Sequence, residues 1–209
     1  MKKLPLWMIV TTGVWVGGLG LFGLRMFSFS YTPGKISSAP ATLPDDLRHD
    51  SNDQRLTLLM FAHPRCPCTR ATLAELARTL ASAPGNPDLR IFFFIPVDQS
   101  DDWVHGWNWN TAAEIHGASV SIDVDGVIAR RCYATTSGQI LLYDASGRLL
   151  FSGGITSGRG HEGDNPGADI VLALLRGEPT ATVQSTSVFG CPLTADQPAQ
   201  VVCRKRDNP

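Results

Sequence analysis

The sequence predicts an α/β domain, a small mixed sheet with helices on both faces, behind one N-terminal membrane-spanning helix. Two observations carry this. Short apolar runs alternate with helical spacings between residues 55 and 177, and an uncharged stretch of 21 residues, 4–24, stands near the start. That stretch would measure about 31 Å as a helix, enough to cross a bilayer. Lys2 and Lys3 before it favour a cytoplasmic N-terminus for residues 1–3. An uncleaved anchor fits its length better than a signal peptide, whose apolar core is shorter and is followed closely by small residues. Its Gly13 and Gly17 form a GxxxG pair, a spacing that five glycines in the segment also produce by coincidence.

Residues 25–52 hold Pro33, Pro40 and Pro44 with little periodicity and read as a linker. The domain, 53–177, follows. "RLTLLMF" (55–61) is a buried strand, and "CTRATLAELARTLA" (68–81) is a helix with Leu73, Leu76, Ala77 and Leu80 on its apolar face. "LRIFFFIPV" (89–97) is a second buried strand, and "WNWNTAAEIHG" (107–117) a weaker helix. "VSIDVDGVIARRCYA" (120–134) reads as strand, Asp-Gly turn and brief helix. "GQILLYDASGRLLFSGG" (138–154) is a hairpin, and "GADIVLALLRG" (167–177) an amphipathic helix stopped by Gly177. Residues 178–209 form an irregular tail, and no internal repeat is visible.

The net charge of −1 removes any global electrostatic case for nucleic acid, and Arg204-Lys205-Arg206 reads as a solvated tail. Five cysteines, at 66, 68, 132, 191 and 203, matter more. In an exported domain they can form disulfides. Cys66-Pro67-Cys68 lies where a strand meets a helix, and a helix N-terminus favours thiolate. Pro67 suits the first turn, and Arg65, Arg70 and His63 add positive charge nearby. Two residues apart on a helix, side chains diverge by about 200°. Cys66 must therefore sit in the loop for a Cys66–Cys68 bond to close, and such a small ring is readily reduced.

The order of elements, with "LLMFAHPRCPCTRATLAEL" and "DVDGVIARRCYATTSGQILLYDASGRLLFSGG", resembles the thioredoxin-like superfamily, and within it the membrane-tethered redoxins exported by bacteria. The resemblance covers about residues 53–177 and implies a three-layer fold, a single-pass inner-membrane location with a periplasmic domain, and thiol–disulfide exchange at Cys66 and Cys68. Partners would be exported protein thiols or disulfides and a redox partner protein, with no cofactor. Cys66 would attack and Cys68 resolve, or Cys68 would attack and find its partner elsewhere; His63, Arg65 and His161 would tune ionisation. The chain departs from the family in its Cys-x-Cys spacing, in having Ser137-Gly138 where a cis-proline opens the hairpin, and in lacking an acid in the first strand.

Cys132 reads as a packed small hydrophobe or a resolving thiol. Cys191 and Cys203 either staple the tail, or Cys191 swings onto the core as a resolving thiol. "GGITSGRGHEGDNPG" (153–167) is a surface loop with Asp164 or Asn165 capping the next helix, or a lid that carries His161 to the cysteines. The rival class is a copper or soft-metal chaperone with Cys66, Cys68 and His161 or His63 as ligands, since thiolate and imidazole suit Cu(I). Peroxide reduction and a binding module without chemistry are further classes. The tryptophans of "DDWVHGWNWN" cover the core edge or form a docking surface.

Overall fold

The computed structural model describes residues 5–35, 38–48 and 54–193. Lys2, Lys3, Cys203 and Arg204-Lys205-Arg206 lie outside the described residues, and so do the readings made of them. The elements run α1 (Leu6–Tyr31), β1 (Thr57–Ala62), α2 (Pro67–Ala81), β2 (Asp88–Ile95), α3 (Trp107–Glu114), β3 (Ala118–Val124), α4 (Val127–Arg131), β4 (Gln139–Tyr143), β5 (Leu149–Gly153), α5 (Pro166–Leu175) and β6 (Gln184–Ser185).

The six strands form one sheet in the order β3-β2-β1-β4-β5-β6. β1, β2 and β3 are parallel, β4 and β5 an antiparallel hairpin set against β1, and β6 runs parallel to β5. Central β1 is buried at every residue, as a strand covered on both faces must be. Its Leu58, Met60 and Ala62 pack under α2 and α5 with Leu73, Leu76, Val171 and Leu174; Leu59 and Phe61 face the other way, toward Ala129 and Cys132. This is a thioredoxin-like three-layer fold with one apolar N-terminal helix ahead of it. That helix, α1, is long and apolar enough to cross a membrane and has no buried residue.

Three parts differ from the sequence reading. First, α1 runs past the uncharged stretch to Tyr31, where Ser30 O accepts the Arg159 N–H at 2.9 Å. Second, the stretch read as a linker is partly built into the domain. Leu43 N–H donates to Gly147 O, Leu149 N–H donates to Ala41 O, and Leu43 and Leu47 are 4% and 6% exposed. The short α4 covers only part of its face of the sheet, and these leucines cover more of it. Third, the buried face of α2 is turned from the one expected: Ala77 is exposed, while Thr69, Thr72, Glu75 and Thr79 are buried. Glu75 tolerates burial because Arg78 and the Gly163 N–H pair with it.

The docked segment makes a direct prediction. Leu43→Ala and Leu47→Ala should each cost about 2–3 kcal/mol of stability, as buried leucines do. Denaturant titration of the full chain in micelles checks this, and a free linker would show no change.

Candidate functional site

The site forms at the N-terminus of α2. Cys66 is the N-cap residue, extended at φ −91° and ψ 124°, and Pro67 opens the helix. Cys66 therefore lies outside the helix and Cys68 inside its first turn, as the spacing required. A turn presents the loop, with Cys66 N–H donating to His63 O at 3.2 Å. Asn108 of α3 secures it: its side-chain amide donates to Pro64 O at 2.8 Å and Cys66 O at 3.2 Å. The sequence reading of this stretch rests on its tryptophans; the signal for Asn108 is a polar residue on the inward face of a short helix.

The structure brings three sulfurs together. Cys191 Sγ lies 2.8 Å from Cys66 Sγ, and the Cys68 thiol is also hydrogen-bonded to Cys66 Sγ. The Cys191 and Cys68 thiols donate to the Cys66 sulfur, and this holds its pKa far below the ordinary thiol value, against the opposing effect of burial. The N–H groups of Thr69 and Cys191 assist. Cys68 and Cys191 are pushed up in turn, because each gives its proton to that sulfur. Cys66 is thus the thiolate of the group, yet it is only 1% exposed.

What covers it is the C-terminal segment. Ser137 N–H donates to Cys191 O at 2.7 Å, Leu193 N–H to Thr135 O at 3.0 Å, and Thr136 and Pro192 form an antiparallel bridge. The irregular tail thus contributes a strand-like edge at the site. Gly190 makes the approach possible, because a Cβ there would lie 1.9 Å from Ser137 O.

Ser137 is fully buried. Its hydroxyl accepts the His63 N–H at 2.8 Å and pairs with Thr69 Oγ1 at 2.7 Å. Gly138 follows with φ +90° and donates its N–H to Phe61 O at 2.8 Å. Where the resemblance would put a cis-proline there is a small hydroxyl residue, and no cis peptide bond occurs among the described residues.

Arg159, from the glycine-rich loop, is the cation beside the sulfurs, lowering Cys68 and Cys191 against the larger raising effects. Its guanidinium donates to Gly190 O at 2.7 Å and lies 4.9 Å over Phe29 of α1. His161, which the lid reading of that loop would carry to the cysteines, is exposed and stacked on Tyr31 at 5.6 Å. The helix end that reaches Tyr31 supplies this ring, which the reading of residues 25–52 as a linker had not provided. Asn165 caps α5 through its Oδ1, which accepts the Ala168 N–H.

His63 is held below its usual pKa, first by burial and then by Arg65, against the opposing pull of Cys66. Its Nδ1 accepts the Arg65 N–H at 3.2 Å. Arg65 and Arg70 stack on Trp103 and Trp107, and donation from the other thiols, not arginine charge, leads in lowering Cys66. Trp103 and Trp109 pack against the core edge. Cys132 stands apart, fully buried with Phe94 and Tyr143, and burial pushes its pKa up to about 12. Among the described residues no group of three or more His, Cys, Asp or Glu side chains is arranged to hold a metal ion.

No family model matches the chain, and no curated protein matches it. Solved structures do. An uncharacterized conserved protein from Geobacillus kaustophilus is similar with a TM-score of 0.56 and 17% identity, over 81% of this chain and 95% of that one. A hypothetical protein, SMc02350 from Sinorhizobium meliloti 1021, is similar with a TM-score of 0.54 and 19% identity, over 77% and 96%. A secreted Mycobacterium tuberculosis disulfide oxidoreductase homologous to E. coli DsbE aligns with a TM-score of 0.39 and 17% identity, over 61% and 84%. The first two share the fold of this chain, in which a thioredoxin-like sheet holds three cysteine sulfurs at the N-terminus of its second helix.

Proposed function

We propose that this chain is a membrane-anchored thiol–disulfide exchange protein whose domain works on the extracytoplasmic side, in the periplasm, with Cys66 as nucleophile. One observation carries the reading: the Cys66 sulfur sits at a helix N-terminus and receives two other cysteine thiols. A low-pKa thiolate is the species that attacks a disulfide. Its attack on a substrate R–S–S–R′ gives a Cys66–S–S–R mixed disulfide and releases R′S⁻. Cys68, already at that sulfur, then loses its proton and attacks Cys66, closing Cys66–Cys68 and freeing RS⁻. Two electrons pass from the protein thiols to the substrate disulfide; the reverse sequence oxidises a substrate dithiol. The substrates are exported proteins, and a separate dithiol protein resets the pair. α1, long and apolar enough to cross a membrane, supports the single-pass inner-membrane location.

Copper held by Cys66, Cys68 and His161 or His63 is the competing reading; in this structure His161 is stacked on Tyr31.

The test is the full chain in detergent micelles, equilibrated with reduced and oxidised glutathione, together with the pH dependence of Cys66 alkylation. Because the folded pKa is depressed, Cys66 stays ionised as pH falls, so alkylation should be nearly flat from about pH 8 to about pH 6. An ordinary thiol would slow about tenfold per unit over that range. Such a slope, together with no exchange, would sink the proposal.

A further inference from the structure

The fold leaves one arrangement that exchange between Cys66 and Cys68 does not explain. The nucleophile is almost wholly covered, and the segment covering it carries a third cysteine with its sulfur 2.8 Å from the Cys66 sulfur. The cover is built. Its carbonyl at Cys191 takes the Ser137 N–H, its N–H at Leu193 reaches Thr135 O, and Arg159 holds Gly190 O. Leu193 is anchored in the second hydrophobic cluster. Cys191, by contrast, is partly exposed. Cys191 occupies a position against the Cys66 sulfur, where an incoming substrate sulfur would compete with it.

We propose that residues 189–193 form a redox-closed lid: Cys191 takes over the disulfide made at Cys66, seals the site with its own strand, and must be reduced before the next substrate enters. This deepens the exchange reading and rests on it.

The transfer balances without any further oxidant. After substrate has left the Cys66–Cys68 disulfide behind, the Cys191 thiol loses its proton to water or to the departing substrate thiolate. The Cys191 sulfur then attacks the Cys66 sulfur, a Cys66–Cys191 bond forms, the Cys66–Cys68 bond breaks, and Cys68 leaves as thiolate. Over the whole sequence Cys66 and Cys191 have given two electrons to the substrate disulfide. A dithiol donor reopens the lid by attacking Cys191, which restores the Cys66 thiolate. The transfer runs from Cys68 to Cys191 because a disulfide between residues two apart closes a small ring, whereas the bond to Cys191 spans two independently anchored segments whose sulfurs already meet.

Disulfide mapping tests this on the full chain in micelles. Trypsin cuts after Arg65 and Arg70, so Cys66 and Cys68 leave in one five-residue peptide while Cys191 leaves in another, 177–204, with Cys203, and fragmentation of the linked peptide assigns the sulfur. The protein is oxidised with one equivalent of oxidised glutathione and quenched with an alkylating agent over time. The expected order is an internal Cys66–Cys68 link first, then a crosslink to the Cys191 peptide as the stable product. Cys191→Ala should stop at the internal link and, compared at a pH where Cys66 is ionised in both proteins, react with a small disulfide reagent about tenfold faster, because its nucleophile is less covered. Gly190→Ala is the second variant. It keeps every thiol but puts a Cβ against Ser137 O, and should also raise reactivity while slowing formation of the crosslink. Exchange that proceeds normally with only the internal link at equilibrium overturns the lid and leaves the exchange reading standing. No exchange from the wild type or Cys191→Ala overturns both.

Discussion

Cys66→Ser is expected to lower the rate of exchange with oxidised glutathione at least about a thousandfold, with the fold intact. Of the three clustered cysteines, Cys66 alone has its pKa lowered; Cys68 and Cys191 are both raised. Removing the acceptor of both S–H bonds therefore removes the reactive thiolate, and no neighbour inherits its role. The hydroxyl that replaces it is not ionised near neutral pH, though it still fits the N-cap and can accept from the neighbouring thiols. Stability should thus change little. Stopped-flow exchange kinetics and a denaturant titration on the same sample check both halves. A Cys66→Ser protein that retained a tenth of the wild-type rate would move the attack to Cys68 or Cys191.

The second large effect is on stability, at Gly138. Gly138→Ala should destabilise the full chain by about 2–4 kcal/mol. Two costs add. At φ +90° an L side chain is strained, and an ideal Cβ would stand 2.8 Å from Thr72 Oγ1 on the buried face of α2. Relief through the backbone would disturb the Gly138 N–H bond to Phe61 O and, one residue earlier, the Ser137 hydroxyl beneath the cysteine loop. The two costs separate in a double-mutant cycle: Thr72→Ala removes the clash but not the strain, so the pair should recover part of the loss. Full additivity would show that Thr72 is not the obstacle.

Much of the fold was legible because one periodicity dominates each segment. "TLLMF" reads as a covered strand whatever lies around it, and Leu73 and Leu76 mark the core side of α2. The offset of that helix face was not legible, since burial of Glu75 depends on Arg78 and on a backbone N–H from a loop 88 residues on. Leu43 and Leu47 sit in a proline-containing stretch without periodicity, so nothing local announced that they cover the sheet. The site divided in the same way. The position of Cys66 at the start of α2 follows from a proline and a helix pattern. Its contact with Cys191 is a meeting across 125 residues, set by backbone pairing to Thr135 and Ser137 that no side-chain pattern encodes. Arg159 and His161 are two residues apart on one loop; Arg159 donates to Gly190 O beside the sulfurs, while His161 stacks on Tyr31 at the end of α1, a ring that the loop's own sequence does not announce.

That helix end has a consequence for where the chemistry takes place. α1 has 26 residues, about 39 Å of helix against a hydrocarbon core of about 30 Å. With α1 seated in a bilayer, only about two turns would stand clear, and Phe29 and Ser30, which engage the loop that carries Arg159, lie within them. A domain on a slack tether sweeps a hemisphere and samples proteins throughout the surrounding fluid. Were α1 to span a bilayer, a domain held to it by these contacts would carry its sulfurs in a plane at a fixed height near the lipid headgroups. Encounters would then be lateral, and partners confined to the same sheet of lipid would meet the site at a local concentration that a freely diffusing protein does not reach.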